Sequence, residues 1–376
     1  MRADLFTRDD ISFLAWPETP DGSYARRYLL PFIVDGPQNY IRNVYNTSLM
    51  VARAGRLLLP VTTSGFHIEN TYTCSPYSHY ISYGGFEEVQ RLRRPALEAV
   101  IKLALLPVAA YFRSSDFDRT ALVNNWLLST NLYPEMNSDE LQALIDCLPE
   151  WFPDRAIVFR SVDAYRNPAL FQILKERGYE MVFSRQVWYQ YPPDAVRRRQ
   201  FREDVRETRR NGHSIGEMVD PSDYDRVLEL YRQLYLVKYS PFNPQFTADF
   251  LRLVREQGLL QLRTVQTGAG ISGVMGYFVR NGVMTCPLFG YDTSLPQALG
   301  LYRMLSVAAM HEALGNGWLL HASAGVGKFK KLRGGQPVLE YNAVYTHHLP
   351  RRRQRPWKMI RAITDRAIPI IQKNEY

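Results

Sequence analysis

The sequence predicts an α/β protein built from two mixed-sheet units, and three observations carry that prediction. First, residues 271–280 and 283–290 are two runs rich in β-branched and aromatic residues, joined by Asn281-Gly282, the positive-φ pair of a tight hairpin. Second, Leu301, Met304, Leu305, Ala308, Ala309 and Leu314 recur at helical spacing. Gly315 and Gly317 can stop that helix, and 318–323 reads as a short buried strand. Third, the order strand, helix, glycine, strand also occurs earlier, at 156–162, 168–176, Gly178 and 179–190. The halves share no visible sequence identity, so the repeat is one of order alone.

Length and composition bound the rest. A chain of 376 residues has room for two domains, and its hydrophobic and charged fractions, 46% and 22%, are those of a globular protein. The net charge of +9 favours an anionic partner: tRNA, coenzyme A, an acyl carrier protein or a lipid surface. Cys74, Cys147 and Cys286 lie at no metal-binding or redox spacing and read as buried apolar fillers in a reducing cytoplasm. The first ten residues lack the apolar core of a secretory leader, which makes the cytoplasm the expected location. The best apolar run, 99–112, is interrupted by Lys102 and Pro107 and reads as too short to cross a bilayer.

Taken in order, residues 1–40 are polar and rich in proline and read as irregular, with one strand at 28–34. Strands are expected at 48–53 and 56–62. Between 70 and 85, Tyr72, Tyr77, His79, Tyr80 and Tyr83 interleave with Ser and Thr. Two readings stay open there, a substrate groove and a β-meander with surface tyrosines. A helix at 87–104 and a strand at 107–112 follow. Ser138 is the expected N-cap of a helix at 139–147. Asn167-Pro168 opens the helix that ends at Arg177-Gly178. Pro192-Pro193 breaks the chain. Arg198, Arg202, Arg206 and Arg210 recur every four residues and so share one helix face, and Asn211-Gly212 stops that helix. A helix at 224–237, a polar loop at 238–244, a Thr247-capped helix at 248–257 and a strand at 259–265 lead to the hairpin. One more strand is expected at 338–345. His347 and His348 have no partner at metal-ligand spacing. The tail is basic from Arg351 to Arg361 around Trp357; it reads as a surface for an anionic membrane or nucleic acid, or as a terminal helix docked on the body. The expected division is 1–195, 196–345 and a basic tail at 346–376.

The stretch from the hairpin to Gly334 also carries chemistry. A loop runs into a helix N-terminus, where free amides and the helix dipole suit phosphate or carboxylate. His321 and Ser323 alternate on the next strand and face one side. A turn with Gly325, Gly327, Lys328, Phe329, Lys330, Lys331 and Arg333 follows. This layout resembles the GNAT (acyl-CoA N-acyltransferase) fold, and in particular the branch of the Fem-type aminoacyltransferases and the CelD/BcsL-type acetyltransferases of cellulose clusters. That branch ends with an apolar helix, a glycine, a strand and a glycine-rich turn bearing an aromatic–Lys pair; here these are Gly317, the strand to Ser323, Gly325 with Gly327, and Phe329-Lys330. Arg202, Arg206 and Gly212 match its basic helix. The resemblance is clear over 197–334 and faint before.

It implies two tandem GNAT-like units with mixed central sheets flanked by helices. It implies transfer of an acyl group from a thioester, acyl-CoA or an acyl carrier protein, to the amino group of a small molecule. The alternative is aminoacyl transfer from charged tRNA; a third reading, from another class, is a non-catalytic nucleic-acid or membrane-surface binder. No tightly bound cofactor and no metal are expected. The family grips its donor with Arg/Gln-x-x-Gly-x-Gly/Ala, and this chain offers Gln297, Ala298, Leu299, Gly300 and Leu301, then Tyr302 in place of the last small residue. A bulky side chain there obstructs a pyrophosphate and leaves room for a donor held otherwise. Lys330 is expected to be an exposed point charge for a phosphate, carboxylate or tetrahedral oxyanion, with Lys328, Lys331 and Arg333 sharing the task. His321 is either a general base for the amine or a core histidine satisfied by the backbone. Ser323, Tyr277 and Tyr239 are further candidates for hydrogen bonds or proton donation.

Overall fold

The structure, a computed structural model, describes residues 2–87, 95–210, 214–217, 220–268 and 270–374. The expected stop at Asn211-Gly212 lies outside them. The chain divides into two compact units: one of Met1–Ser184, Ser240–Gln245 and Tyr341–Ile368, the other of Arg185–Tyr239, Phe246–Glu340 and Pro369–Tyr376.

In chain order the elements are β1 (Ala3–Phe6), α1 (Pro20–Asp35), β2 (Thr47–Ala54), β3 (Leu57–Ser64), α2 (Pro95–Ser114), β4 (Thr120–Val123), α3 (Ser138–Trp151), β5 (Ala156–Val162), α4 (Pro168–Glu176) and β6 (Glu180–Gln190). Then come α5 (Pro192–Ala195), α6 (Arg199–Arg210), β7 (Ser214–Glu217), α7 (Tyr224–Tyr231), α8 (Ala248–Glu256), β8 (Gln261–Thr267), β9 (Gly270–Arg280) and β10 (Val283–Tyr291). The chain closes with α9 (Leu301–Gly315), β11 (Leu319–His321), α10 (Gly327–Leu332), β12 (Gln336–Tyr345) and α11 (Arg351–Asn374). Wide π-type turns occupy Ser78–Glu87 and Arg232–Tyr239.

In the first unit β1 to β4 form an antiparallel meander, β4 runs parallel to β5, and β5 pairs antiparallel with the end of β12, Ala343 to Phe159 and Val344 to Val158. In the second unit β7 to β10 form an antiparallel meander, β10 runs parallel to β11, and β11 pairs antiparallel with the end of β6, Leu320 to Gln190 and His321 to Tyr189. The two ladders have the same order and the same senses. The equivalent parallel units are thus β4–α3–β5 and β10–α9–β11. The repeat lies one strand earlier than the strand–helix–glycine–strand order at 156–190 suggests. The turn between β9 and β10 is the expected one, with Asn281 and Gly282 at φ 48° and 69°. Where the second unit has those two residues, the first carries residues 65–119, including α2.

Alternation builds one face of the first sheet. Met50, Ala52, Ala54, Leu57, Leu59, Val61, Ile157 and Phe159 pack against Leu141, Leu144 and Leu148 of α3 and Leu170 and Leu174 of α4. In the second unit Val265, Met275, Met284 and Leu320 pack against Met304, Leu305, Ala308 and Ala309 of α9. Gly290 of β10 is required where α7 crosses it: a Cβ there would meet the backbone of Leu230 and Tyr231 at 2.5 Å.

Several expectations fail, mostly at prolines. Residues 20–35 are helix, not irregular chain with a strand: Thr19 accepts from the Gly22 amide at 3.0 Å, and Ala25, Tyr28, Leu29 and Phe32 form one buried stripe. Residues 107–112 are not a strand but the end of α2, which continues through Pro107; by length and composition α2 is also long and apolar enough to cross a membrane. Asn137, not Ser138, caps α3, its side chain accepting from Asp139 and Glu140 amides. Pro192-Pro193 opens a short helix. The tyrosine-rich segment is no meander: Tyr77 and Tyr80 are core residues, leaving Tyr72, His79 and Tyr83 half-buried together. The basic tail is a helix whose Trp357 packs on Phe117, ring centroids 4.4 Å apart.

Candidate active site

The second unit's sheet opens at its middle. Parallel pairing of β10 with β11 ends at Thr285 opposite His321. A bulge between Thr285 and Leu288, across Cys286 and Pro287, then bends β10, while the chain after β11 follows β6: Ala322 N–H donates to Trp188 O and Trp188 N–H to Ser323 O. From Cys286 to Tyr291, no strand among the described residues covers the edge of β10 that β11 has left, so its backbone groups face the opening. α9 begins at the mouth of this opening. Gly300, at φ 67°, precedes its first residue, and no side chain among the described residues caps it. The first amides of α9 therefore meet the loop carrying Gln297, Ala298 and Leu299, which turns through a single 3-10 step.

Tyr302 stands in the first turn of α9. Its ring lies 5.4 Å from Phe289, 6.3 Å from Tyr291 and 5.1 Å from Phe329, so it bridges β10 and α10 across the opening. Burial first, then the neighbouring Tyr239 and Tyr291, hold its phenol well above the ordinary value. Lys238 Nζ reaches Tyr291 Oη at 3.1 Å and sits over the same ring.

The far wall is the turn after β11. Ser323 and Val326 take the left-handed conformation at φ 58° and 46°, which for a β-branched valine is strained. Lys330 holds this turn: its Nζ donates to Ser323 O at 3.1 Å and Ala324 O at 2.8 Å. Lys330 is 5% exposed, which corrects the expectation of an exposed point charge. The turn folds back as helix α10 and carries the amine inward. Burial first, and then Arg185, push that amine down to about 7. Lys328 is exposed. Arg333 is not open to a ligand either: it lies 3.4 Å over the Phe329 ring and forms a two-pronged pair with Asp204, at 2.5 and 3.0 Å. Asp204 is 1% exposed and also faces Arg303 of α9 at 3.4 Å, so one carboxylate ties α6, α9 and α10 together.

His321 is buried, and its Nδ1 accepts from the Ser323 amide at 3.1 Å. That bond assigns the ring proton to Nε2, which faces Glu340 Oε2 at 3.9 Å. Burial first, and Arg185 next, push the imidazole down to about 3. Its one accepting nitrogen is occupied and its basicity is low. Of the two readings the geometry selects the core histidine satisfied by the backbone, not the general base. Glu340 in turn is paired with Arg185, Nε to Oε1 at 2.8 Å.

Residues 197–330 match the acetyltransferase (GNAT) domain family. The second unit carries a GNAT domain. Among solved structures, FemX aligns at 11% identity and TM-score 0.47, over 64% of this chain and 83% of that one. The C-terminal domain of a putative lysylphosphatidylglycerol synthetase from Agrobacterium fabrum aligns at 12% and 0.45, over 60% and 78%. A GCN5-related N-acetyltransferase from Kribbella flavida aligns at 15% and 0.35, over 61% and 81%. No curated protein matches the sequence.

Within the GNAT domain the expected residues separate into two groups. Gln297 to Leu301, Ser323 and Lys330 border the opening of the sheet, and Tyr239 sits near Tyr302 at its mouth. Tyr277 does not join them. Its hydroxyl donates to Glu312 Oε2 at 2.8 Å, and Glu312 also pairs with Arg263, which locks the phenol against the back half of α9. Sequence reasoning alone does not find Asp204, Arg185 or Glu340. Their partners lie 129 and 155 residues away, and the one local signal is an acid on the inner face of α6 beside Phe201 and Val205.

Proposed function

We propose that the GNAT domain is an N-acyltransferase whose reacting carbonyl lies in the opening between β10 and β11. The observation that supports this most is the coincidence of the family match with the open β10 edge facing an uncapped α9. In this reading the amine nitrogen attacks the donor carbonyl, the carbon–sulfur bond breaks, and the amine's proton goes to the departing thiolate. Backbone N–H groups of β10 stabilise the developing oxyanion, a kind of contact worth about 2.7–4 kcal/mol. The first turn of α9 holds the donor's anionic group, and Lys330 positions the wall where the amine enters. The donor is a thioester of coenzyme A or of a carrier protein.

A second donor, aminoacyl-tRNA, is favoured by two observations. Tyr302 fills the mouth through which a pantetheine arm would pass. Arg202, Arg206 and Arg210 are exposed along α6, and Arg198, which lies just before the helix and not on it as its spacing suggests, is exposed as well. A nucleotide end can stack on Tyr302 and Tyr291 while phosphates meet the arginines. The Fem-type resemblance of the sequence points to the same donor.

The test is a mass-resolved screen of acyl-CoAs, acyl carrier proteins and charged tRNAs with an amine library. Acyl transfer to an amine from any of these supports the proposal, and none from all three sinks it. The donors separate by salt: a tRNA donor gives a steep fall of log affinity with log salt, and changing Arg198, Arg202 and Arg206 to Gln lowers that slope by about 2. Coenzyme A binding that appears only in Tyr302→Ala assigns the mouth to Tyr302.

A further inference from the structure

We propose that α2 is a membrane-docking helix that lies in the interface of an anionic bilayer, an assignment independent of the acyl-transfer reading. α2 runs for 20 residues, and 11% of its apolar window is buried. A core helix of this composition would be covered. Here Leu97, Val100, Leu103 and Leu106 are 43–69% exposed, and their spacing spreads them over the half of the helix opposite the buried Ala109 and Phe112. The helix sits in residues 65–119, between β3 and β4, where the equivalent strands of the other unit are joined by a two-residue turn. The sheet therefore does not require it.

Charge selects the occupant. The covered residues of α2, Ala109 and Phe112, share one cluster with Trp357 and Ile360 of α11. On that same helix Arg351, Arg352, Arg355 and Lys358 are exposed. An apolar helix bordered by a row of cations fits acyl chains beneath anionic headgroups. Glu98 and Lys102 share the half of α2 that carries the anchored Ala109 and Phe112, which leaves the apolar half facing outward along the surface. Pro107 leaves one carbonyl without its helical partner, which interfacial water can satisfy.

Flotation of the full chain tests this with two vesicle types, phosphatidylcholine alone and equimolar phosphatidylcholine and phosphatidylglycerol. Wild type is expected to float with the anionic vesicles and to be released by high salt. Leu103→Glu with Leu106→Glu, both at exposed positions, should lower partitioning roughly tenfold or more with an unchanged melting temperature. A milder Ser pair at the same sites replaces it if the glutamates unfold the chain. Arg351→Glu with Arg352→Glu should abolish the preference for anionic lipid. Failure to float, or flotation that the Leu103/Leu106 variants leave intact, overturns the proposal. So does sedimentation showing a dimer that these variants dissociate, which would make the helix a contact between two copies.

Discussion

Lys330 shows how burial changes what one side chain is able to do. Its amine is engaged by two carbonyls of a strained turn, so removing it affects stability as well as rate. Lys330→Met should cost about 1–3 kcal/mol in a urea melt, because Ser323 O and Ala324 O lose their donor. The slackened turn should lower kcat/KM roughly a hundredfold, mainly through kcat. A melt unchanged from wild type would show that the two bonds contribute nothing. Asp118 gives the other residue-scale test. It is buried, accepting from the Ser75 hydroxyl and the Tyr77 amide at 2.7 Å, and burial pushes its carboxyl up from 3.8 to about 6. The folded carboxyl thus holds its proton more tightly than the unfolded one. Its ionisation penalty is fully present above about pH 6 and relieved as pH falls toward 4. The isosteric Asp118→Asn carries no such penalty. Relative to this variant, wild type should gain about 1–3 kcal/mol between pH 7 and pH 4.5, measured as the difference of urea midpoints.

At the scale of elements, Asp204 is the fastening of α6 to α9 and α10. Asp204→Ala leaves the guanidinium of Arg333, 7% exposed, without its carboxylate and should cost about 3–5 kcal/mol. Adding Arg333→Met should recover most of the loss, and two independent penalties that simply add would refute the pairing as the cause. This fastening is hidden in the sequence, because the spacing Phe201–Asp204–Val205 marks an inner face but not its partner far down the chain. The strands are legible: alternation and β-branched runs locate β2, β3, β5, β6 and β8 to β10, and Asn281-Gly282 locates the turn. Helices with internal proline are not. Pro31 lies in a run that reads as a strand and Pro107 reads as a break, yet α1 and α2 pass through both residues. In α1 the buried stripe of Ala25, Tyr28, Leu29 and Phe32 outweighs the loss of one amide donor. The aromatic–Lys pair singles out the turn after β11, whereas the inward direction of the Lys330 amine depends on α10, which a glycine-rich segment does not announce.

At the scale of the molecule, each unit completes its sheet with a strand from the other half of the sequence. β6 follows the first unit's strands and finishes beside β11; β12 follows the second unit's strands and finishes beside β5. A protein is made from one end. When the ribosome has released residues up to Ser184, the first unit still lacks its last strand and the helix after it, and the edge of β5 with Ile157, Val158 and Phe159 waits open. At bacterial or eukaryotic translation speeds the roughly 160 residues still to come take on the order of ten seconds. The nascent chain thus exposes an apolar sheet edge for longer than most domains need to fold, a natural substrate for a ribosome-associated chaperone. A chain stopped after Glu340 remains in that state: hydrogen exchange should find the β12-facing edge of β5 less protected than in the full chain, although every residue of β5 is present.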